Sequence, residues 1–331
     1  MEQRELSKRV TAADVARSLG LSRATVGFVL NNTAGQTISE ATRRRVIAEA
    51  ERLGYRPHQA ARALASGQSR IVLLVLPDWP IDHSIRVHLD EASIVLDRAG
   101  YSLVTTTPHA DGHAPPLWET LNPDVVMGLL PFPAKTLAQM RRRGVRRIVP
   151  DAPASPAPAE GSDGFALGPR AQVEHLRGRG HRRLAFAGSP DPRLSGLVAE
   201  RRALAHRSAD RLSDVDLVAD ADISPDTVAS VLSDWVRDGV DGVVAYNDDI
   251  AALLVGTALR SGIAVPEQIA VIGHDDTPVA SLFVPALSSI RIDSAGLGRY
   301  LAEVALAAID GRPTPPPGRA GEATVAHRET T

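Results

Sequence analysis

From Arg70 onward the chain alternates short apolar runs with helical stretches. "IVLLVL", "YSLVTTT", "DVVMGLL" and "RRIVP" read as four strands, and after the Pro/Ala-rich segment "DAPASPAPAEGSDG" come four more, "RRLAFAG", "VDLVAD", "DGVVAYN" and "IAVIG". Strands that alternate with helices build a parallel sheet, and two such series separated by a Pro/Ala-rich break imply two α/β lobes. The two series share a pattern and not a sequence repeat. The expected body is residues 70–331, with a first lobe over about 70–152 and 294–312 and a second over about 160–291 and 322–331.

The segment before Arg70 follows a different rule. Thr11 and Asp14 have the spacing of a capping box, Val15, Ala16 and Leu19 line one face of a helix, and Gly20 ends it. Ser22 caps a second helix on which Val26, Val29 and Leu30 cluster on one side, while Ala24, Gly27, Phe28 and Asn31 occupy the opposite arc. Ser39 caps a third, whose stripe is Val46, Ile47, Ala50 and Leu53 before Gly54. Three short helices, the first two joined by a tight turn, make a helix-turn-helix head over residues 1–56. Next, "YRPHQAARALASGQS" reads as a linker, residues 57–69, with a helix of about eight residues opened by Pro57, too short to be stable alone.

Charge divides along the same line. Residues 1–70 hold 12 Lys and Arg against 6 Asp and Glu, and the rest hold 25 against 33, so a head of +6 sits on a body of −8. A small basic segment is suited to a polyanion. There are no cysteines, which excludes disulfides and thiolate chemistry and fits a reducing compartment. No apolar run approaches the roughly 18 residues of a membrane span, and "MEQRELSKRV" is too polar for a signal peptide, so the expected location is cytoplasmic, on the nucleoid through DNA.

The blocks "VTAADVARSLGLSRATVGFVLNN", "ISEATRRRV" and "RLGYRPHQAARALASGQSR", in this order and spacing, resemble the DNA-binding head and hinge of the lactose-repressor (LacI/GalR) family. "VEHLRGRGHRRLAFAG", "VDGVVAYNDDIAALLVGTALRSGIAVPEQIAVIGHDD" and "HRETT" resemble the effector domain of the same family, so the likeness spans nearly the whole chain. It implies an all-α helix-turn-helix head and hinge helix followed by a two-lobed, type I periplasmic-binding-protein-like α/β domain with parallel sheets. It also implies a homodimeric transcriptional regulator, in the first instance a repressor, acting on a pseudo-palindromic operator. A small-molecule effector, with a sugar as the family expectation, would bind between the lobes.

The resemblance places DNA contacts at Arg23, Ala24, Thr25, Gly27, Phe28, Asn31, Tyr55, His58, Ala61 and Leu64. Leu64 matches a leucine that wedges into the minor groove, the alternative being a linker residue packed on its own body. Where the family commonly has serine and arginine, this chain has Gly27 and Phe28. Phenylalanine offers a base only apolar contact, chiefly to a thymine methyl, unless it folds sideways onto the loop near Ile38. Arg43 to Arg45 read as phosphate clamps or as solvated charge.

Effector candidates fall at strand ends, where open parallel sheets bind ligands. Asp151 follows "RRIVP", Asn247 and Asp248 follow "GVVAY", Asp275 follows "IAVIGH", and Arg201 matches a family arginine that binds hydroxyls. Charge-assisted bonds suit such groups to a polyol, and the alternative for each is a helix cap or a structural ion pair. Trp79 in "LPDWP" either stacks on a sugar face or packs in the core. Gly164 and Leu204 depart from the family's asparagine and glycine, and the first lobe looks short, so the sugar rests on the family more than on these residues.

Two rival functions remain. The carboxylates of "NDD" and "GHDD" could serve an α/β enzyme, but no G-x-S-x-G or phosphate-cradling Gly-Lys loop accompanies them, and neither a catalytic residue, a metal nor a cofactor is expected. A solute-binding protein without a regulatory role would have no use for the DNA head. The tail after Asp310 is proline-rich and without heptads, so no coiled coil is expected there.

Overall fold

A computed structural model describes residues 10–31, 35–55, 68–109, 112–152, 168–316 and 322–331. His58, Ala61 and Leu64 of the linker lie outside these residues.

The head folds as its caps dictate. Helix α1 (Ala12–Leu19) opens with the Asp14 carboxylate accepting from the N–H and hydroxyl of Thr11 at 2.9 and 2.7 Å, and closes at Gly20 with φ +66°. In α2 (Arg23–Leu30) the Ser22 hydroxyl accepts from Thr25 N at 3.0 Å, and in α3 (Glu40–Arg52) Ser39 does the same for Thr42 N at 3.2 Å. Their apolar faces meet in a core of Val15, Ala16, Val26, Val29, Val46 and Ala50. Ile47 does not join them and is 43% exposed. The stripe on α3 runs through Val46, Ala50 and Leu53, and Ile47, some 100° round the helix from Val46, turns outward.

The first lobe is a parallel sheet of order β2-β1-β3-β4, from β1 (Ile71–Val75), β2 (Ser102–Thr106), β3 (Val125–Gly128) and β4 (Ile148–Val149). The second, β5 (Arg183–Gly188), β6 (Asp216–Asp222), β7 (Gly242–Ala245) and β8 (Ala270–Ile272), repeats that order as β6-β5-β7-β8. In each lobe the order reverses beside the first strand, which opens a crevice at the strands' carboxyl ends.

One sheet was not anticipated. Strands β9 (Ser289–Ile292) and β10 (Ala323–Ala326) pair antiparallel and carry the chain between the lobes. Ile290 of β9 is buried in the second lobe's core, yet the next helix, Ser294–Asp310, buries Leu301, Ala302 and Ala305 in the first. That helix packs along α4 (His83–Arg98) so closely that a Cβ on Gly298 would collide with the carbonyl oxygen of His88. Exposed helical Gly→Ala changes stabilise by up to about 1 kcal/mol. Here the sign should invert. Gly298→Ala is expected to lower stability by about 1–3 kcal/mol through overpacking, read as a fall in Tm.

Candidate functional site

Two surfaces carry the candidate residues. On α2, Arg23, Ala24 and Asn31 are exposed, and Thr25 and Phe28 are half-buried. Nothing lies within 4 Å of a Cβ built on Gly27, so the gap there is open to whatever the helix approaches. The Thr25 hydroxyl is shared with the Ser22 cap at 2.8 Å. Ile38, Leu30 and Tyr55 pack on the head core, but among the described residues Phe28 is not one of the side chains that do. Tyr55 therefore holds the end of the head together.

The second surface is a cleft of about 520 Å³ between the lobes. His83 and Ser84 at the start of α4 and Ser294 line it from the first lobe, Asp275 and Asp276 from the second, and Thr324 of β10 from the connection. A narrow extension, which Asp275 also lines, reaches Arg201 and His88.

Asp275 is the centre of this surface. Its backbone takes φ +91°, and its N–H donates to the Ile290 carbonyl at 2.8 Å, so β9 fixes an otherwise unfavourable conformation. Its Oδ1 accepts from His274 Nδ1 at 2.7 Å and from Arg201 Nη2 at 3.4 Å. Arg201 donates through Nη1 to the Tyr246 carbonyl at 2.6 Å and lies over the Tyr246 ring, 4.7 Å from its centroid. Burial and the Arg201 charge push the His274 imidazole down, and its Nδ1 faces the Asp275 carboxylate as donor. Burial opposes the Asp275 charge too, but the His274 N–H and the fixed charge of Arg201 outweigh it and hold the carboxyl well below the usual carboxylate range. Both bonds fall on Oδ1. The cleft thus presents an ionised acceptor suited to hydroxyl donors, with Arg291 also on its lining.

The remaining candidates separate. Asn247 caps the helix Asp248–Arg260 by accepting from Ile250 N at 3.0 Å. Asp248 is fully buried; its Oδ2 accepts from the N–H and hydroxyl of Thr277 at 2.7 and 2.9 Å, and its Oδ1 from the Ser289 hydroxyl at 2.5 Å. The Asp248 N–H also donates to the His274 carbonyl at 3.1 Å, next to Asp275. Trp79 is half-buried against the second lobe's core, although it follows a strand of the first. Asp151 is exposed and paired with Arg141 at 2.5 Å, away from the residues that line the cleft.

Burial raises the Asp248 carboxyl from 3.8 to about 6. A raised folded-state value means that its favourable contribution is present below the unfolded value and lost as pH climbs through about 6. Asp248→Asn removes that titration. Each tenfold change in proton affinity between the folded and unfolded chain is worth about 1.4 kcal/mol. Between pH 4 and pH 7 the stability of the wild type relative to Asp248→Asn should therefore fall by roughly 2–2.5 kcal/mol, and parallel urea titrations across that range would read it.

His274 gave no sequence signal, because a histidine beside an apolar run reads as core. The structure shows why it is held: its Nε2 is buried against Gly168, where any Cβ would collide with it. Ser84, Ser294 and Thr324 were also missed, since only the lobe connection brings them together.

A helix-turn-helix head followed by two parallel α/β lobes with a cleft between them defines a regulator built on a periplasmic-binding-protein-like body. Residues 11–58 match the family of bacterial regulatory proteins, lacI family, and residues 173–331 match the periplasmic binding protein-like domain. The HTH-type transcriptional regulator GntR of Pseudomonas aeruginosa is 32% identical over 331 residues, covering 92% of this chain and 90% of that protein. The ribose operon repressor of Bacillus subtilis is 29% identical over 315 residues, covering 92% and 93%. Among solved structures, the lac repressor dimer bound to operator and the anti-inducer ONPF superposes with a TM-score of 0.75 at 22% identity, covering 98% of this chain and 99% of that one. The complex of transcriptional regulator CelR with cellobiose gives 0.61 at 23%, covering 98% and 100%. The chain belongs to the lacI family of transcriptional regulators.

Proposed function

We propose that this regulator is a cytoplasmic homodimeric repressor that grips a pseudo-palindromic operator through α2 and changes its grip when a neutral polyol, a sugar in the first instance, enters the interlobe cleft. The observation that carries the ligand class is the ionised Asp275 carboxylate, 10% exposed and anchored on one oxygen, at the wall of a cleft of about 520 Å³. The curated relatives include regulators named for ribose, and a solved relative holds cellobiose. The reading needs binding alone and no chemistry. Asp248 and Asp276 are each engaged, the latter by Arg291 and Arg328 at 2.7 and 2.6 Å, as structural carboxylates are.

Dimerisation is supported by an apolar surface on the second lobe. Leu282 and Val284 are 78% and 85% exposed, and Phe283 between them lies 3.6 Å from the Cβ position of Gly256, on the helix that also exposes Leu259. Two copies sharing this patch across a two-fold axis would cover it and match a two-fold operator.

A thermal-shift panel of neutral pentoses, hexoses and β-linked disaccharides tests the cleft. A ligand at about 100 times its Kd adds about 2.7 kcal/mol. The reading expects at least one such sugar to raise Tm and to shift operator affinity in the same concentration range. Stabilisation by sugar acids or phosphosugars alone would contradict the ligand class.

A further inference from the structure

The first lobe's sheet is parallel, so the starts of all four strands lie along one edge, and the chain enters β1 there from the linker. Arginines crowd this edge. Arg70 precedes β1, Arg98 ends α4 just before β2, and Arg142, Arg146 and Arg147 lie between the helix Ala134–Arg142 and β4. Two of them meet there: Arg70 N donates to Asp124 Oδ2 at 2.8 Å, Arg147 Nη1 to the Asp124 carbonyl at 3.5 Å, and the Arg70 guanidinium lies 5.1 Å from the Tyr101 ring centroid, while Arg98, Arg142 and Arg146 are set on the same side by the strands they precede.

The acids that could neutralise them are already engaged. Asp124 accepts from the backbone of Ser69 and Arg70, Glu119 pairs with Arg143 at 3.2 Å, Asp151 with Arg141 and Asp310 with Arg312. Among the described residues Arg98, Arg142 and Arg146 are exposed and have no carboxylate partner, and Asp97 is the acid left beside them. Helix C-termini favour a positive side chain, which accounts for Arg98 and Arg142 in part, but Arg70 and Arg146 lie in no helix. Arg70 also takes φ +59°, the left-handed region, with its backbone N–H pinned by Asp124. On a body of net −8 this edge is a local excess of positive charge, at the side from which the DNA head is tethered.

We propose that the linker-side edge of the first lobe, through Arg70, Arg98, Arg142 and Arg146, is a second DNA-contacting surface that binds operator phosphates beyond the base pairs read by α2. It rests on the DNA-binding reading and adds to it. The linker of residues 56–67 can span at most about 45 Å even when extended, so this edge is tethered within that distance of the head. Phosphate contacts of this kind carry no base sequence but set register and salt dependence.

The test is the salt dependence of binding to one 40-base-pair duplex carrying the sequence that the wild type selects from a random pool. Three proteins are compared by fluorescence anisotropy: wild type, Arg98→Gln/Arg142→Gln/Arg146→Gln, and a control of equal charge change on the second lobe, Arg179→Gln/Arg207→Gln/Arg211→Gln. Each phosphate neutralised contributes about 0.9 to the slope of log K against log salt, so three per protomer, or six per dimer, predict a slope shallower by about 5 for the first variant. Its affinity at low salt should fall tenfold or more with unchanged half-site preference, and the control should follow the wild type. Equal slopes for wild type and the first variant would overturn the proposal, as would an equal loss in the control. If the wild type selects no sequence, the DNA-binding reading itself fails and this surface falls with it.

Discussion

Asp275→Asn is expected to abolish the ligand response and to leave a folded but weakened protein. The amide retains an oxygen for His274 Nδ1 and tolerates the left-handed backbone, but it cannot match the buried cation of Arg201, which is 4% exposed. Arg201 keeps its bond to the Tyr246 carbonyl, so what is lost is a charge-assisted bond, about 1.5–3 kcal/mol. Operator affinity without ligand should remain, whereas affinity at saturating sugar should equal it, because a coupling free energy needs a contact that differs between two states. The double variant Asp275→Asn/Arg201→Met separates the two roles. It should recover part of the lost Tm by removing a buried cation that the amide no longer matches, with no return of the response. A response that survives Asp275→Asn would mean that the cleft is read elsewhere.

The second large effect concerns α2. Phe28 is half-buried and is not among the described side chains packed on the head core, and Gly27 leaves an open gap beside it, so the helix can approach a major groove closely with an apolar side chain on that face. The chemistry there favours a thymine methyl, since phenylalanine has no donor for guanine. Phe28→Arg should move the selected half-site toward G at one position in each arm, by about 1–3 kcal/mol. Recovery of the same half-site by both proteins would show that Phe28 is not a reader. Arg23 and Asn31, exposed on the same helix, would then carry the base contacts.

Much of the fold was legible because it is written locally. The eight strands of the two lobes are short apolar runs between turn residues, and Thr11, Ser22 and Ser39 announce the head helices by cap chemistry that depends only on residues three positions away. The pair β9–β10 was not legible. "SIRI" and "ATVA" are four-residue runs whose pairing joins segments some thirty residues apart, and nothing in either names the other. The site was half legible for the same reason. A residue's place at a strand end fixes which edge it occupies but not which neighbour its side chain meets. Asp275 and Arg201 came together, Asn247 became a helix cap, Asp248 turned to Thr277 and Ser289, and Asp151 found Arg141 instead. Ile47 shows the limit on a helix: with two adjacent apolar residues, the sequence does not say which one the stripe keeps.

The regulator reading stands on sequence-specific binding by a two-fold protein, and selection of duplexes from a random pool by the full chain tests it directly. The account predicts an enriched inverted repeat, two arms of the same half-site at fixed spacing, recovered at physiological salt and against competitor DNA. Bound DNA with no enriched sequence, or a single unrepeated half-site, would contradict it.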